Sequence, residues 1–180
     1  MKNQNTKKLA CAALFLALCL VLPMLTGQIP QIGSMLLPMH IPVLLCGLVC
    51  GWQYGAAVGF VAPLLRSVLF GMPPMYPVAI AMAFELLTYG LVIGLVYRRM
   101  AQKGAAGVYA ALLTAMAAGR LVCGVAEVVL LGLGGKAFTA QAFLAGALLN
   151  AVPGIIVQLV LIPAVMAALQ KAGAVKEYAE

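Results

Sequence analysis

Apolar runs of about 20 residues, broken only by short stretches of Gly, Pro and charge, follow one another along this chain. A run of that length has no hydrophilic side to turn to water. It must be buried whole, and a bilayer can bury several such runs at once. Composition agrees. Of the 180 residues, 65% are hydrophobic and 8% are charged, and aspartate is absent. Soluble domains carry roughly 25% charged residues. A mean hydropathy of +1.11 leaves no polar coat for a water-facing globule. A soluble enzyme, a nucleic-acid binder and a tethered catalytic domain are thereby excluded. The fold expected is an all-α integral membrane protein, a single transmembrane domain over residues 1–180. Its six transmembrane helices are placed at roughly 7–25, 38–51, 55–71, 78–97, 107–133 and 141–169.

The net charge of +7 reports topology and not an acidic partner. Cytoplasmic segments of membrane proteins collect Lys and Arg. With the N-terminus inside, eight of the eleven basic residues fall on the cytoplasmic side: Lys2, Lys7, Lys8, Arg98, Arg99, Lys103, Lys171 and Lys176. Only Lys136 falls outside, and Arg66 and Arg120 lie within helices. An even number of spans returns the C-terminus to the cytoplasm. Lys2, Lys7 and Lys8 followed by an apolar run imitate a signal peptide, but Met24 to Pro30 offers no small-residue cleavage site. A retained first helix is expected.

Cys11, Cys19, Cys46, Cys50 and Cys123 sit in apolar runs without a C-x-x-C spacing and with one histidine in the chain. They read as small packing residues and not as a zinc or redox set. Small residues four apart, Ala13/Ala17, Gly47/Gly51, Gly55/Gly59, Gly90/Gly94 and Ala147/Ala151, let helices approach closely in lipid. Pro63, Pro153 and Pro163 interrupt the helical hydrogen-bond ladder, so kinks are expected there.

Ionisable groups at membrane depth cost at least roughly 2.5–3.5 kcal/mol each near the centre. This chain has Arg66, Glu85, Arg120 and Glu127 at depth, with His40 at the outer end of the second span and Asn150 in the sixth. Arg120 and Glu127 are two turns apart and share a helix face. All six residues fall in the outer half or at mid-depth. The arrangement expected is a polar pocket open to the outside and closed below. Structural ion pairs between the two arginines and the two glutamates are the alternative. Tyr89 shares a face with Glu85, and Tyr76 suits either the pocket or an interfacial belt. Gln158, deeper, reads as an interhelical hydrogen bond. Trp52 and Tyr54 read as interface anchors.

Catalysis is hard to build from this set. Ser34 and Ser67 are the only serines, His40 is the only histidine, and there is no HExxH. Gly134-Gly-Lys136-Ala137 lacks the upstream glycine and the Ser/Thr of a phosphate loop, so ATP would have to be used by a partner. No metal ligand set and no cofactor is expected in the chain. Binding or transport remains. With 7% aromatic residues, most at interfaces, the pocket lacks stacking faces for a flavin or a thiamine ring. Guanidinium, carboxylate, amide and imidazole together suit a small, non-aromatic solute with an anionic head, since arginine's planar fork matches a carboxylate.

Several segments carry a resemblance, in order along the chain. They are Ala13-Leu-Phe-Leu-Ala17, Met39-His-Ile-Pro-Val-Leu-Leu45 and Gly51-Trp-Gln-Tyr-Gly-Ala-Ala-Val-Gly59, then Leu69-Phe-Gly-Met-Pro-Pro-Met-Tyr-Pro77 and Phe84-Glu-Leu-Leu-Thr-Tyr-Gly90. Together they resemble the S components, the substrate-binding membrane subunits of energy-coupling factor (ECF) vitamin transporters, and within them the pantothenate-type group. The Trp52-Gln53 turn departs from the basic turn of that pattern. The resemblance implies a multi-pass subunit of a prokaryotic plasma membrane that binds a vitamin at its outer face. Outer loops near residues 28–34, 72–77 and 134–139 would close over the vitamin. It also implies partners: an ECF transmembrane scaffold subunit, packed on Ala13 and Ala17, and two cytosolic ATPase subunits that drive the loaded subunit to topple. Substrate-binding residues would then be Arg120, Glu85, Asn150 and His40, with Glu127, Arg66, Tyr89 and Tyr76 behind them. A proton-coupled small-solute transporter working without ATPase partners, with Glu85 or Glu127 as the carrier, is the second reading. A structural or assembly factor is the third.

Overall fold

In lipid a backbone N–H or C=O has no water to bond, so each apolar run closes its own hydrogen bonds as a helix. The computed structural model describes residues 2–25, 37–133 and 152–173. The described elements are α1 (Lys2–Leu25), α2 (His40–Val49), α3 (Trp52–Phe70), a π-helical turn (Met75–Ala79), α4 (Ile80–Met100), a 3-10 turn (Ala101–Lys103), α5 (Ala105–Leu133) and α6 (Val152–Lys171). There is no strand among the described residues. Among the described residues five segments are long and apolar enough to cross a membrane: Gln4–Met24, Trp52–Phe70, Met75–Met100, Ala105–Gly132 and Val152–Lys171. The all-α membrane fold expected from the sequence is the fold observed. Asn150, the Ala147/Ala151 pair, Lys136 and the loops at 28–34 and 134–139 lie outside the described residues.

The second expected helix, 38–51, reads as short and is found as α2, ten residues that are all buried. At 1.5 Å per residue it is about 15 Å long, half the roughly 30 Å hydrocarbon core. Gly51 ends it with φ +97°, a backbone that an L side chain rarely adopts, and the chain turns directly into α3. A helix that is apolar all round can face lipid or other helices, and here length decides for the second. Gly51 is therefore a turn residue and not half of a packing pair: a Cβ there would meet nothing within 4 Å.

The other glycines do pack. α4 lies against α2, α3 and α5. A Cβ on Gly55 would stand 2.6 Å from the Gly47 Cα and 2.9 Å from the Gly90 oxygen. One on Gly90 would stand 2.2 Å from the Gly55 backbone, and one on Gly59 would stand 2.2 Å from the Leu86 oxygen. Three backbones thus meet with no side chain between them, the close approach that drives association where no water is expelled. Dispersion is then gathered along the main chains themselves.

Basic residues close two of the helices. Arg98 and Arg99 close α4 and Lys171 closes α6, where cations also suit the helix dipoles. Pro63 and Pro163 lie inside α3 and α6 as expected, and Pro23 adds a third inside α1. On α1, Ala12, Phe15 and Cys19 face the core, while Ala13 and Ala17 share the outward face with Leu14 and Val21.

Candidate functional site

Helix α4 sets Glu85 and Tyr89 one turn apart on its buried face. α2 starts with His40, and the brevity of α2 is what puts that histidine at the level of Glu85. Its Nε2 is 3.5 Å from Glu85 Oε1, and its ring meets Tyr89 edge-on at 5.2 Å between centroids. His40 is 1% exposed, so the expectation of a residue at the outer interface is corrected: it lies inside the bundle. α5 supplies Arg120, whose Nη1 is 3.0 Å from the same carboxylate oxygen. Gly119 beside it lets the Tyr89 ring come close, since a Cβ there would be 2.8 Å from that ring. One turn beyond Arg120 on α5, the Cys123 thiol also lies against the Glu85 carboxylate.

A carboxylate 3% exposed cannot stay ionised alone; it needs a cation and hydrogen bonds. Arg120 provides the cation. Even so, Glu85 Oε1 has no aligned hydrogen bond among the described residues and keeps acceptor capacity. Buried polar groups are nearly always paired. Here Arg120 Nε and Nη2, both His40 ring nitrogens and Gln158 Nε2 are buried without a partner among the described residues. Most of these atoms donate. The guanidinium touches Glu85 through one nitrogen and retains two more. Such a donor-rich patch is suited to a carboxylate or another acceptor-rich anion.

The remaining candidates divide. Glu127 is half-buried two turns along α5 from Arg120, near enough for the charges of Glu85 and Arg120 to act on it. Arg66 turns away. Its Nη1 donates to the Leu20 carbonyl of α1 at 2.5 Å, and its guanidinium lies 5.4 Å over the Phe70 ring. Leu20 lies within α1, three residues before Pro23. Arg66 therefore holds α3 to α1 and is not brought into the cluster. Tyr76 is half-exposed in the π-helical turn, and its hydroxyl donates to the Leu130 carbonyl of α5. It ties the 72–77 loop to that helix and does not reach Glu85.

Gln158 is the residue that sequence reasoning set aside. It lies on the inward face of α6 with Gly154, Ile162 and Met166, at four-residue spacing. Gln170 Nε2 donates to Tyr97 Oη at 3.2 Å, an exposed contact between α6 and α4 near their basic ends.

Among the described residues no group of three or more His, Cys, Asp or Glu is placed to hold a metal ion. Residues 7–167 match the family model described as ECF transporter, substrate-specific component. No curated protein and no solved structure matches the chain significantly.

Proposed function

The chain belongs to the family of ECF transporter substrate-specific components, and from that premise we propose that it captures a small anionic, non-aromatic vitamin, pantothenate or a close analogue, at the outer face of a prokaryotic plasma membrane. Membership makes it a multi-pass transport-binding subunit and not an enzyme. The observation that supports the anionic choice is the Arg120 guanidinium, with Nε and Nη2 buried and unpaired beside Glu85 and His40. Arginine can present two parallel donors to one carboxylate, which gives both energy and orientation. Glu85 would take the hydroxyl or amide hydrogens of the solute, with His40 beside it. Asn150, outside the described residues, remains a proposed partner, and Glu127 is a nearby one.

In this reading ATP is used by two cytosolic ATPases attached to a scaffold subunit, and the scaffold packs on the outward face of α1. Calorimetric titration of the purified protein against a vitamin panel is expected to give saturable binding of pantothenate. Heat-silent titrations with every vitamin, from folded protein, would remove the proposal. Uptake into liposomes by this chain alone, driven by a pH gradient, would favour the proton-coupled reading instead.

Ala13 tests the partner. Ala13 and Ala17 leave a shallow strip on a face otherwise lined by Leu14 and Val21. An Ala13→Trp side chain would fill that strip without touching the core. The expected result is loss of co-purification with the scaffold subunit while vitamin affinity stays within about twofold, because a surface change away from the site is worth under about 0.5 kcal/mol. Retained assembly would place the partner surface elsewhere.

A further inference from the structure

We infer that Gln158 is a specificity residue of this site, and that it selects solutes carrying a neutral carbonyl acceptor set apart from their carboxylate. The inference rests on the proposed capture function and deepens it. Gln158 is 1% exposed, yet its Nε2 has no hydrogen-bond partner among the described residues. An amide buried in hydrocarbon with two idle donors is a cost that internal packing does not repay. α6 packs against both α2 and α5, the helices that carry His40 and Arg120. Gln158 lies on the buried face of α6 with Gly154, Ile162 and Met166. The amide therefore faces the interior that these helices share.

The two ends of the site differ in charge. At Arg120 the donors are cationic and suit a carboxylate; at Gln158 they are neutral and suit an amide, ureido or ester oxygen. A site built to hydrogen-bond one group rejects analogues that lack it, because its own buried donors are then left unpaired. Gln158 thus separates pantothenate and biotin, which have a carboxylate and a distant carbonyl, from lipoate and nicotinate, which have no carbonyl besides the carboxylate.

Gln158→Met keeps the length of the side chain and removes the amide. Two readouts distinguish a ligand-reading amide from a brace between helices. First, thermal unfolding without ligand should be unchanged or shifted upward, since the idle buried amide is gone; a brace would give a clear fall. Second, affinity for pantothenate or biotin, whichever the native chain binds more tightly, should weaken by about three- to tenfold, the worth of one neutral hydrogen bond. Affinity for lipoate and nicotinate should be unchanged or improved. Equal affinities of native and variant protein for the carbonyl-bearing solutes overturn the inference and leave vitamin capture standing. Native protein that prefers lipoate or nicotinate overturns it as well. Failure of native protein to bind any of the four removes capture and the inference together. If Gln158→Met does not fold, Gln158 is a brace and the inference is lost.

Discussion

Arg120→Ala should remove solute binding and also destabilise the bundle, and the two losses can be told apart. The variant leaves Glu85, 3% exposed, without its cation. Breaking a buried pair by deleting one partner costs about 3–5 kcal/mol, because the surviving charge is stranded. Binding should fall by at least the value of a charge-assisted hydrogen bond, roughly 1.5–3 kcal/mol, or about 10- to 150-fold in affinity. The double variant Arg120→Met with Glu85→Met removes both charges and restores volume. Such replacements are often neutral or stabilising, so thermal unfolding should return to within about 1 kcal/mol of the native value. Affinity should not return. Thermal melts and calorimetry on the same three proteins read both quantities. Native affinity in Arg120→Ala, alongside a lowered melting temperature, would make the pair a structural brace and move the solute site elsewhere.

Gly90→Ala should be as damaging with a far smaller change. The added Cβ would lie 2.2 Å from the Gly55 carbonyl carbon and oxygen. Those are backbone atoms of a packed helix and cannot rotate aside, so α3 and α4 must separate along the whole glycine contact. Ordinary overpacking of a core costs about 1–3 kcal/mol. Separating two backbones should reach or exceed the top of that range, since the close approaches at Gly59 and Gly47 are lost with it. Gly132→Ala is the control. It lies within α5 with nothing within 4 Å of the added Cβ. There alanine should stabilise by about 0.5–1 kcal/mol through helix propensity. Comparable melting temperatures for the two variants would contradict the rigid three-helix contact.

The spans and the basic end were legible in the sequence because both depend on one-dimensional quantities: length of apolar run and position of Lys and Arg. Glu85 and Arg120 were legible because a charge in oil has to be answered by another. Direction was not legible. Arg66 sits in a run much like that of Arg120, yet it serves the Leu20 carbonyl of a distant helix, which no local pattern announces. The run at 38–51 looked like a span because apolarity alone does not separate contact with lipid from contact with protein. Gln158 reads from the sequence as an interhelical hydrogen bond, and its buried Nε2 has no partner among the described residues, which a linear pattern does not reveal.

The short helix α2 has a mechanical consequence. It begins at His40 and runs from there toward the basic end, sheathed on every side and joined to its neighbours through glycine backbones. In the capture reading proposed above, a solute at His40 would stand on a solid plinth about 15 Å deep. Parting the helices beneath it would mean prising open glycine-joined backbones. Such a pedestal would agree with the toppling that the family resemblance implies.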